Sequence, residues 1–330
     1  MMKNVFITGS SGFIGHNLAQ RLAHNHRIYA LARNPVEDID GNVIPVTGDI
    51  LKPESLVPAI NECGVVFHCA AYISFQKRDF ERAYQVNVEG TRNVLEAAYR
   101  AKVKKVVHLS ACAVLGFSSD KNNVLDETAN PQIEKENVYA YTKKLAEEEV
   151  RKFVQKGLDV SIANIATVYG PGDKKLNSGS IVKSVYQGRM KFVPPGGTSY
   201  VSVDDLVAGL ILLAENGHPG ERYIFCTENI EYKNLVQRIA GTLGTEKPIY
   251  TLPGASYYPA LGAVKLIELV SKFKAEKINL MTAQILREAY GYKYFCSQKA
   301  RSELGWAPRQ AFEETVKKAF EYYKEHRLLI

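Results

Sequence analysis

The chain is poor in features that would staple or anchor it. Its five cysteines, Cys63, Cys69, Cys112, Cys226 and Cys296, are odd in number and widely spaced, with no C-x-x-C pair and no histidine at zinc-ligand spacing. That excludes a disulfide framework and a zinc finger, and it reads as reduced, mostly buried thiols with no metal expected. No charged segment, apolar run and cleavage site precede the first strand, so the expected location is cytoplasmic. The longest apolar stretch, 255–270, is interrupted by Lys265 and Glu268 and is too short to span a bilayer. It reads as an amphipathic helix over a substrate cleft, with membrane-surface contact the other reading and no stable insertion. The charge excess is small: 42 Lys and Arg against 35 Asp and Glu leave +7, spread along the chain. A balance of that kind gives no footing for nucleic acid and points to a small-molecule partner. There are no internal repeats and no low-complexity tract.

What is present is a rhythm. With 46% apolar residues, the 330-residue chain can bury one large core or two coupled ones. Short β-branched runs at 5–8, 28–32, 43–46, 65–68, 105–110 and 160–164 alternate with helical stretches at 12–23, 53–60, 87–101 and 137–157, where Gly157 is a C-cap candidate. Such alternation makes an α/β fold with a doubly wound parallel sheet, a Rossmann domain over 1–168. Past Tyr169-Gly170-Pro171-Gly172 the pattern loosens into loops and shorter helices at 203–215 and 232–243. Residues 169–330 are therefore expected to form mainly a smaller C-terminal α/β substrate-binding domain, with segments between 200 and 230 returning to the first.

The most informative segment is Gly9-Ser10-Ser11-Gly12-Phe13-Ile14-Gly15, directly after the strand Val5-Phe6-Ile7-Thr8. Gly9 permits the tight turn, Gly12 lets the backbone approach a pyrophosphate, and Gly15 lets the helix pack on the strand. The helix N-terminus then offers free N–H groups and a positive dipole end to phosphate. A dinucleotide is the expected cofactor, bound by Gly9, Ser11, Gly12, Phe13, Ile14 and Gly15. At the end of the second strand an acid would accept from a ribose 2′-hydroxyl, whereas an arginine accommodates a 2′-phosphate. Arg33 stands there, with Glu37 and Asp38 nearby, so NADP is expected, with NAD second. Asp49, in Gly48-Asp49-Ile50, is either a partner of the adenine amino group or a turn former. Tyr139 and Lys143 lie one helical turn apart and share a face. An ammonium beside a phenol would lower its pKa from about 10 toward neutrality, which makes Tyr139 the candidate proton carrier.

With these motifs the chain resembles the extended short-chain dehydrogenase/reductase family, the group with NAD-dependent epimerases and dehydratases, and especially its dihydroflavonol-reductase-like branch. The resemblance rests on the glycine turn from Thr8 to Gly15, Gly48-Asp49-Ile50, His68-Cys69-Ala70-Ala71, Asn87-Val88-Glu89-Gly90-Thr91, Tyr139 to Lys143, Val168-Tyr169-Gly170-Pro171-Gly172-Asp173, and Leu304-Gly305-Trp306. It implies that Tyr139 is the acid/base and Lys143 its activator and a cofactor ligand. It also implies that Asn87 supports a water relay, that Ile50, Cys69, Ala70 and Ala71 lie beside the cofactor, and that the assembly is a homodimer.

The family usually places a catalytic Ser or Thr after the fifth strand, where this chain has Ala111. Such a donor supplies on the order of 3 kcal/mol to the transition state. Ser110 should face the other side if the strand persists, unless a bulge turns it inward; Cys112, Ser74 and Tyr72 are the other candidate donors. The arginine of the sugar-nucleotide enzymes is absent from Thr198-Ser199-Tyr200-Val201-Ser202-Val203-Asp204-Asp205, and Cys296 stands in place of their usual Asp. Asn164 matches those enzymes, and Arg287 is a candidate second phosphate clamp. Tyr186, Phe192, Tyr200, Tyr257, Tyr258 and Tyr290 bring aromatic area to the expected cleft, although packing accounts for most such residues. The expected activity is an NADP(H)-dependent reductase or dehydrogenase of an apolar or aromatic substrate. An NAD-dependent nucleotide-sugar epimerase or dehydratase, and a weakened dinucleotide-binding regulatory protein, are the alternatives.

Overall fold

A computed structural model describes residues 3–34, 41–271 and 283–329. The β-branched runs form β1 (Asn4–Thr8), β2 (Arg27–Ala32), β3 (Val43–Thr47), β4 (Val65–His68), β5 (Lys105–Ala111) and β6 (Val160–Ile165). Further on come β7 (Thr167–Tyr169), β8 (Phe192–Val193), β9 (Gly197–Ser202), β10 (Arg222–Phe225), β11 (Glu228–Glu231) and β12 (Tyr250–Thr251). Seven of them make one parallel sheet in the order β10-β6-β5-β4-β1-β2-β3. The chain reverses its direction of growth between β1 and β4, and at that switch point the carboxyl ends of the strands open a crevice for a ligand.

Helices cover both faces because each carries one apolar stripe. α1 (Phe13–Ala23) lies on one face, and α2 (Val57–Ile60), α3 (Phe80–Tyr84), α4 (Gly90–Arg100) and α5 (Val138–Gln155) follow in the chain. Beyond them run α6 (Gly179–Tyr186), α7 (Val203–Asn216), α8 (Tyr232–Leu243), α9 (Tyr257–Ser271), α10 (Ala283–Ala289), α11 (Gln298–Leu304) and α12 (Phe312–Glu325). Leu18 and Leu22 of α1, Leu206, Leu210 and Leu213 of α7, and Trp306 fill the core on one face of the sheet. Val94, Leu95 and Ala98 of α4, with Val150 and Phe153 of α5, fill the other. α6, α8 and α12 enclose a separate core around Val182, Leu235, Ile239, Phe312, Val316 and Tyr323.

Two of the quoted motifs meet in one joint. Trp306 Nε1 donates to the Asp205 carbonyl at 2.9 Å, while the Asp205 carboxylate accepts from Arg309 N at 2.8 Å and from Ser202 Oγ at 2.8 Å. Asp173 ends its own motif by accepting from the backbone N–H groups of Asn177, Ser178 and Gly179 at the start of α6. Both acids thus hold the architecture together.

Three of the differences from the sequence reading have a clear local cause. The stretch 87–101 is split into a wide π turn, Gln85–Glu89, and α4; such turns recur at functional sites, and this one carries Asn87. Pro53 starts a 3₁₀ turn, Pro53–Ser55, ahead of the short α2. β5 continues unbroken to Ala111, which fixes the direction of Ser110. Gly157, two residues past α5, has φ of 96°, as a glycine following a helix requires. No helix among the described residues is long and apolar enough to cross a membrane.

Candidate active site

The glycine turn builds a cradle by excluding side chains. Gly9 has φ of 67°, and a Cβ there would lie 2.7 Å from Ala70 N. A Cβ on Gly15 would fall onto the Gly9 carbonyl oxygen, so α1 can dock on the turn only through glycine. Gly12 caps α1 without a side-chain hydrogen bond, leaving the first turn from Phe13 through Ile14 to Gly15 open to an anion, with Ser11 exposed in front of it. Cys69, Ala70 and Ala71 leave β4 against this turn, Ala70 N donating to Thr8 Oγ1 at 3.2 Å. Burial pushes the Cys69 thiol up to about 12, which keeps it neutral. A cradle that any Cβ would fill, floored by backbone and facing a helix start, fits the pyrophosphate of a dinucleotide.

Arg33 is exposed immediately beyond β2, while Glu37 and Asp38 lie outside the described residues. Asp49 does form a turn: its Oδ1 accepts from Leu51 N at 3.0 Å, and its own N–H donates to Ser55 Oγ at 3.0 Å. Ile50 has its side chain buried beside Gly90, and its carbonyl accepts from Asn93 Nδ2 at 2.9 Å, so it forms part of the wall next to the Asp49 turn.

Tyr139 and Lys143 lie in the first two turns of α5. The expected depression of the phenol does not occur. Burial pushes Tyr139 up to about 12, with the nearby Cys112 adding to the rise. The reason is where the ammonium sits: Lys143 Nζ donates to the Leu109 carbonyl at 2.5 Å. Burial in turn lowers Lys143 to about 8, against the pull of Glu147 and Cys69. A lysine that still carries its proton at neutral pH and a tyrosine held as the phenol give a proton donor on the helix face.

Ser110 is the second correction. Because β5 stays extended, alternate side chains face opposite sides, and Ser110 Oγ donates to Glu147 Oε1 at 2.5 Å on the α5 side. The same carboxylate accepts from Asn164 Nδ2 at 2.9 Å and from Arg222 Nε at 2.8 Å. Ser110 and Asn164 are therefore committed to a buried ion-pair network and do not reach toward Tyr139. Of the other candidate donors, Cys112 Sγ is turned to the Asn164 carbonyl at 3.4 Å, and Ser74 Oγ donates to Asp79 Oδ2 at 2.6 Å. Tyr72 is held through its backbone.

That grip comes from Asn87, whose Oδ1 accepts from Tyr72 N at 2.8 Å while Nδ2 donates to the Tyr72 carbonyl at 2.9 Å and to Thr142 Oγ1 at 3.0 Å. Every polar atom of the amide points into the frame, so Asn87 braces the loop after β4 against α5 beside Lys143. The brace connects to the cradle. Thr91 Oγ1 donates to the Asn87 carbonyl at 2.6 Å, so it must accept from His68 Nε2 at 2.9 Å, and His68 Nδ1 accepts from Thr8 Oγ1 at 2.7 Å. Burial lowers His68 to about 3, in keeping with this neutral tautomer. Reading the sequence missed Glu147 and this chain; an acid one turn after Lys143, in the same i, i+4 row as Tyr139 and Lys143, was the available signal.

A cavity of about 650 Å³ opens at the N-terminal end of α5, lined by Ala113, Phe117, Asn137, Tyr257, Tyr258 and Tyr290 together with the charged Glu134, Arg287, Glu288 and Lys293. This volume suits a drug-sized organic molecule. Of the six aromatics expected at the cleft, Tyr257, Tyr258 and Tyr290 line it. Tyr186 packs on Phe320 at 4.8 Å, Phe192 on Tyr250 at 5.8 Å, and Tyr200 on Phe312 at 4.5 Å, all away from it. The Arg287 guanidinium lies 5.8 Å from the centre of the Phe117 ring.

A parallel sheet with a glycine cradle at its switch point and a Tyr-Lys pair beside a cleft defines a nicotinamide-dinucleotide oxidoreductase. Residues 5–226 match the model of the NAD dependent epimerase/dehydratase family, and the chain belongs to that family. It is 28% identical to sterol demethylase protein B of Methylococcus capsulatus, over 94% of this chain and 96% of that protein. It is 29% identical to a putative dihydroflavonol 4-reductase of Synechocystis, over 97% and 94%. Among solved structures, that of gox2253 superposes with a TM-score of 0.83 at 31% identity, covering 98% of both chains.

Proposed function

We propose that this oxidoreductase uses NADP(H) to interconvert an alcohol and a carbonyl on an apolar, ring-containing substrate. The observation that carries the reading is the cavity of about 650 Å³ at the N-terminal end of α5, bordered by Asn137 two residues before Tyr139 and with Phe117, Tyr257, Tyr258 and Tyr290 in its walls. When bound, the dinucleotide supplies or takes the hydride at the carbon. Tyr139 supplies the proton to the oxygen in the reducing direction and removes it in the oxidising one, so a carbonyl gains one hydride and one proton and becomes an alcohol. Lys143 keeps positive charge near the phenol below its pKa of about 8. Asn87 and His68 hold the two halves of the site in register.

Two relatives, a sterol demethylase protein and a putative dihydroflavonol reductase, carry names that share polycyclic substrates, which supports the apolar reading. The exposed Arg33 beyond β2 supports a 2′-phosphorylated cofactor. Absence of an arginine from Thr198-Ser199-Tyr200-Val201 disfavours a nucleotide diphosphate. We take the working form to be a cytoplasmic homodimer. The test is NADPH oxidation with dihydroquercetin and with a 3-ketosteroid, and NADP⁺ reduction with the matching 3-hydroxysteroid. Turnover of one pair that Tyr139→Phe lowers by about 10²-fold or more is the expected result. Turnover unaffected by Tyr139→Phe would overturn the assignment.

A further inference from the structure

The carboxylate of Glu288 belongs to the substrate side of the cleft yet ends on the helix that carries the proton donor. Its Oε1 accepts from Asn137 Nδ2 at 2.8 Å and from Gln284 Nε2 at 3.0 Å, and its Oε2 lies 3.8 Å from Lys293 Nζ. Asn137 is the N-cap of α5, its Oδ1 accepting from Ala140 N at 3.4 Å. The cap bond is long for its kind, so the amide is oriented chiefly by the shorter bond to Glu288. Lys293 is itself held above its ordinary pKa, by Tyr232 first and Glu288 after it. A line of polar contacts thus runs from Tyr232 at the start of α8, through Lys293 and Glu288, to the cap residue two positions before Tyr139. Asn137, Gln284, Glu288 and Lys293 all border the cavity.

We propose that Glu288 is a positioning residue for the proton transfer: α10, a wall of the substrate cavity, sets the first turn of α5 and with it the direction of Tyr139. The proposal rests on the assignment of Tyr139 as proton carrier. Chemistry then depends on the seating of α10, which ties the placement of the acid to the wall that meets the substrate. Neither residue touches the reacting atoms, so the contribution is to alignment, and a displacement of even an ångström at the donor costs much of the rate.

The pair can be tested by exchanging its chemistry. Asn137→Asp keeps an equally good helix cap but sets two carboxylates against each other. Glu288→Gln keeps an acceptor for Asn137, and the double variant restores one hydrogen bond with the donor on the opposite side. Expected for Asn137→Asp is a fall in kcat of about tenfold with unchanged affinity for NADPH; Glu288→Gln falls less, and the double variant recovers to the level of Glu288→Gln. A merely structural role would lower the melting temperature in Asn137→Asp and restore it in the double variant while kcat of the folded protein and the Tyr139 resonance stay at the parent values. The second readout needs no substrate: in protein carrying ¹³Cζ-tyrosine, the Tyr139 resonance, identified by Tyr139→Phe, moves in Asn137→Asp and returns in the double variant. An unmoved resonance, or a double variant no better than Asn137→Asp, overturns the proposal. Turnover that survives Tyr139→Phe while the resonance still moves and returns would instead overturn the role of the tyrosine and leave the coupling in place.

Discussion

Ser110 and Glu147 form a buried 2.5 Å hydrogen bond, and the next residue, Ala111 at the end of β5, has only a methyl group to offer. The hydroxyl nearest in sequence to the missing donor is consumed by the frame. Ala111→Ser is therefore expected to raise kcat by about tenfold or more, because it adds a side-chain donor for the developing oxyanion. Ser110→Ala should leave kcat nearly unchanged but lower stability by about 1–3 kcal/mol, since Glu147 loses a buried partner. Steady-state kinetics and urea melts on both variants check the pair of outcomes. An Ala111→Ser protein with parental kcat would show that another group already serves.

Gly15→Ala should abolish NADPH binding or the fold itself, because the added methyl would fall onto the Gly9 carbonyl oxygen. Gly157→Ala is the control. At φ of 96° it carries strain of about 1 kcal/mol but meets nothing within 4 Å, so binding should persist. NADPH fluorescence titration with a thermal melt separates the two.

Stability should fall on acidification in a window set by two histidines. His68 is held near 3 by burial and the Lys143 charge, and His108 well below its ordinary value by burial, Lys143 and His68. The unfolded chain binds protons from about pH 6.5 downward while the folded chain does not, so stability is lost progressively from about pH 6.5 toward 3. Lys143 acts at the other end. Its folded value of about 8 lies below the ordinary 10.5, so stability rises with pH between those two values. Neither ring nitrogen of His108 has a hydrogen-bond partner among the described residues. His108→Leu should therefore stabilise the protein by about 1 kcal/mol and flatten the acid limb, read as melting temperature against pH at constant ionic strength. A destabilised variant with an unchanged limb would count against this account.

Arg33→Asp should reverse the cofactor preference, weakening NADPH and strengthening NADH by about tenfold each, through loss of a phosphate partner and gain of an acceptor for the 2′-hydroxyl. Dissociation constants for both dinucleotides decide it. A parent that binds both equally would remove Arg33 from the argument.

Local patterns made the cofactor half legible. Gly9, Gly12 and Gly15 are adjacent in sequence and act through backbone geometry, and Tyr139 and Lys143 share a helix face by spacing alone. What stayed hidden depends on contacts between distant segments. Glu147 reads as one more acid on a charged helix until Ser110, Asn164 and Arg222 arrive from β5, β6 and β10. Tyr200 and Phe192 read as cleft aromatics until packing carries them elsewhere, and Glu288 reads as a surface acid until α10 reaches Asn137.

By itself the sequence determined that this chain would wind a parallel sheet around a dinucleotide cradle, because a Cβ-free turn and an apolar alternation are local properties. Only the tertiary structure decided the protonation of the site and the placement of its groups. Burial lifts Tyr139 to about 12, and a backbone carbonyl of β5 engages the Lys143 ammonium. Desolvation and hydrogen-bond partnership come from residues far apart in the chain, and no spacing rule contains them.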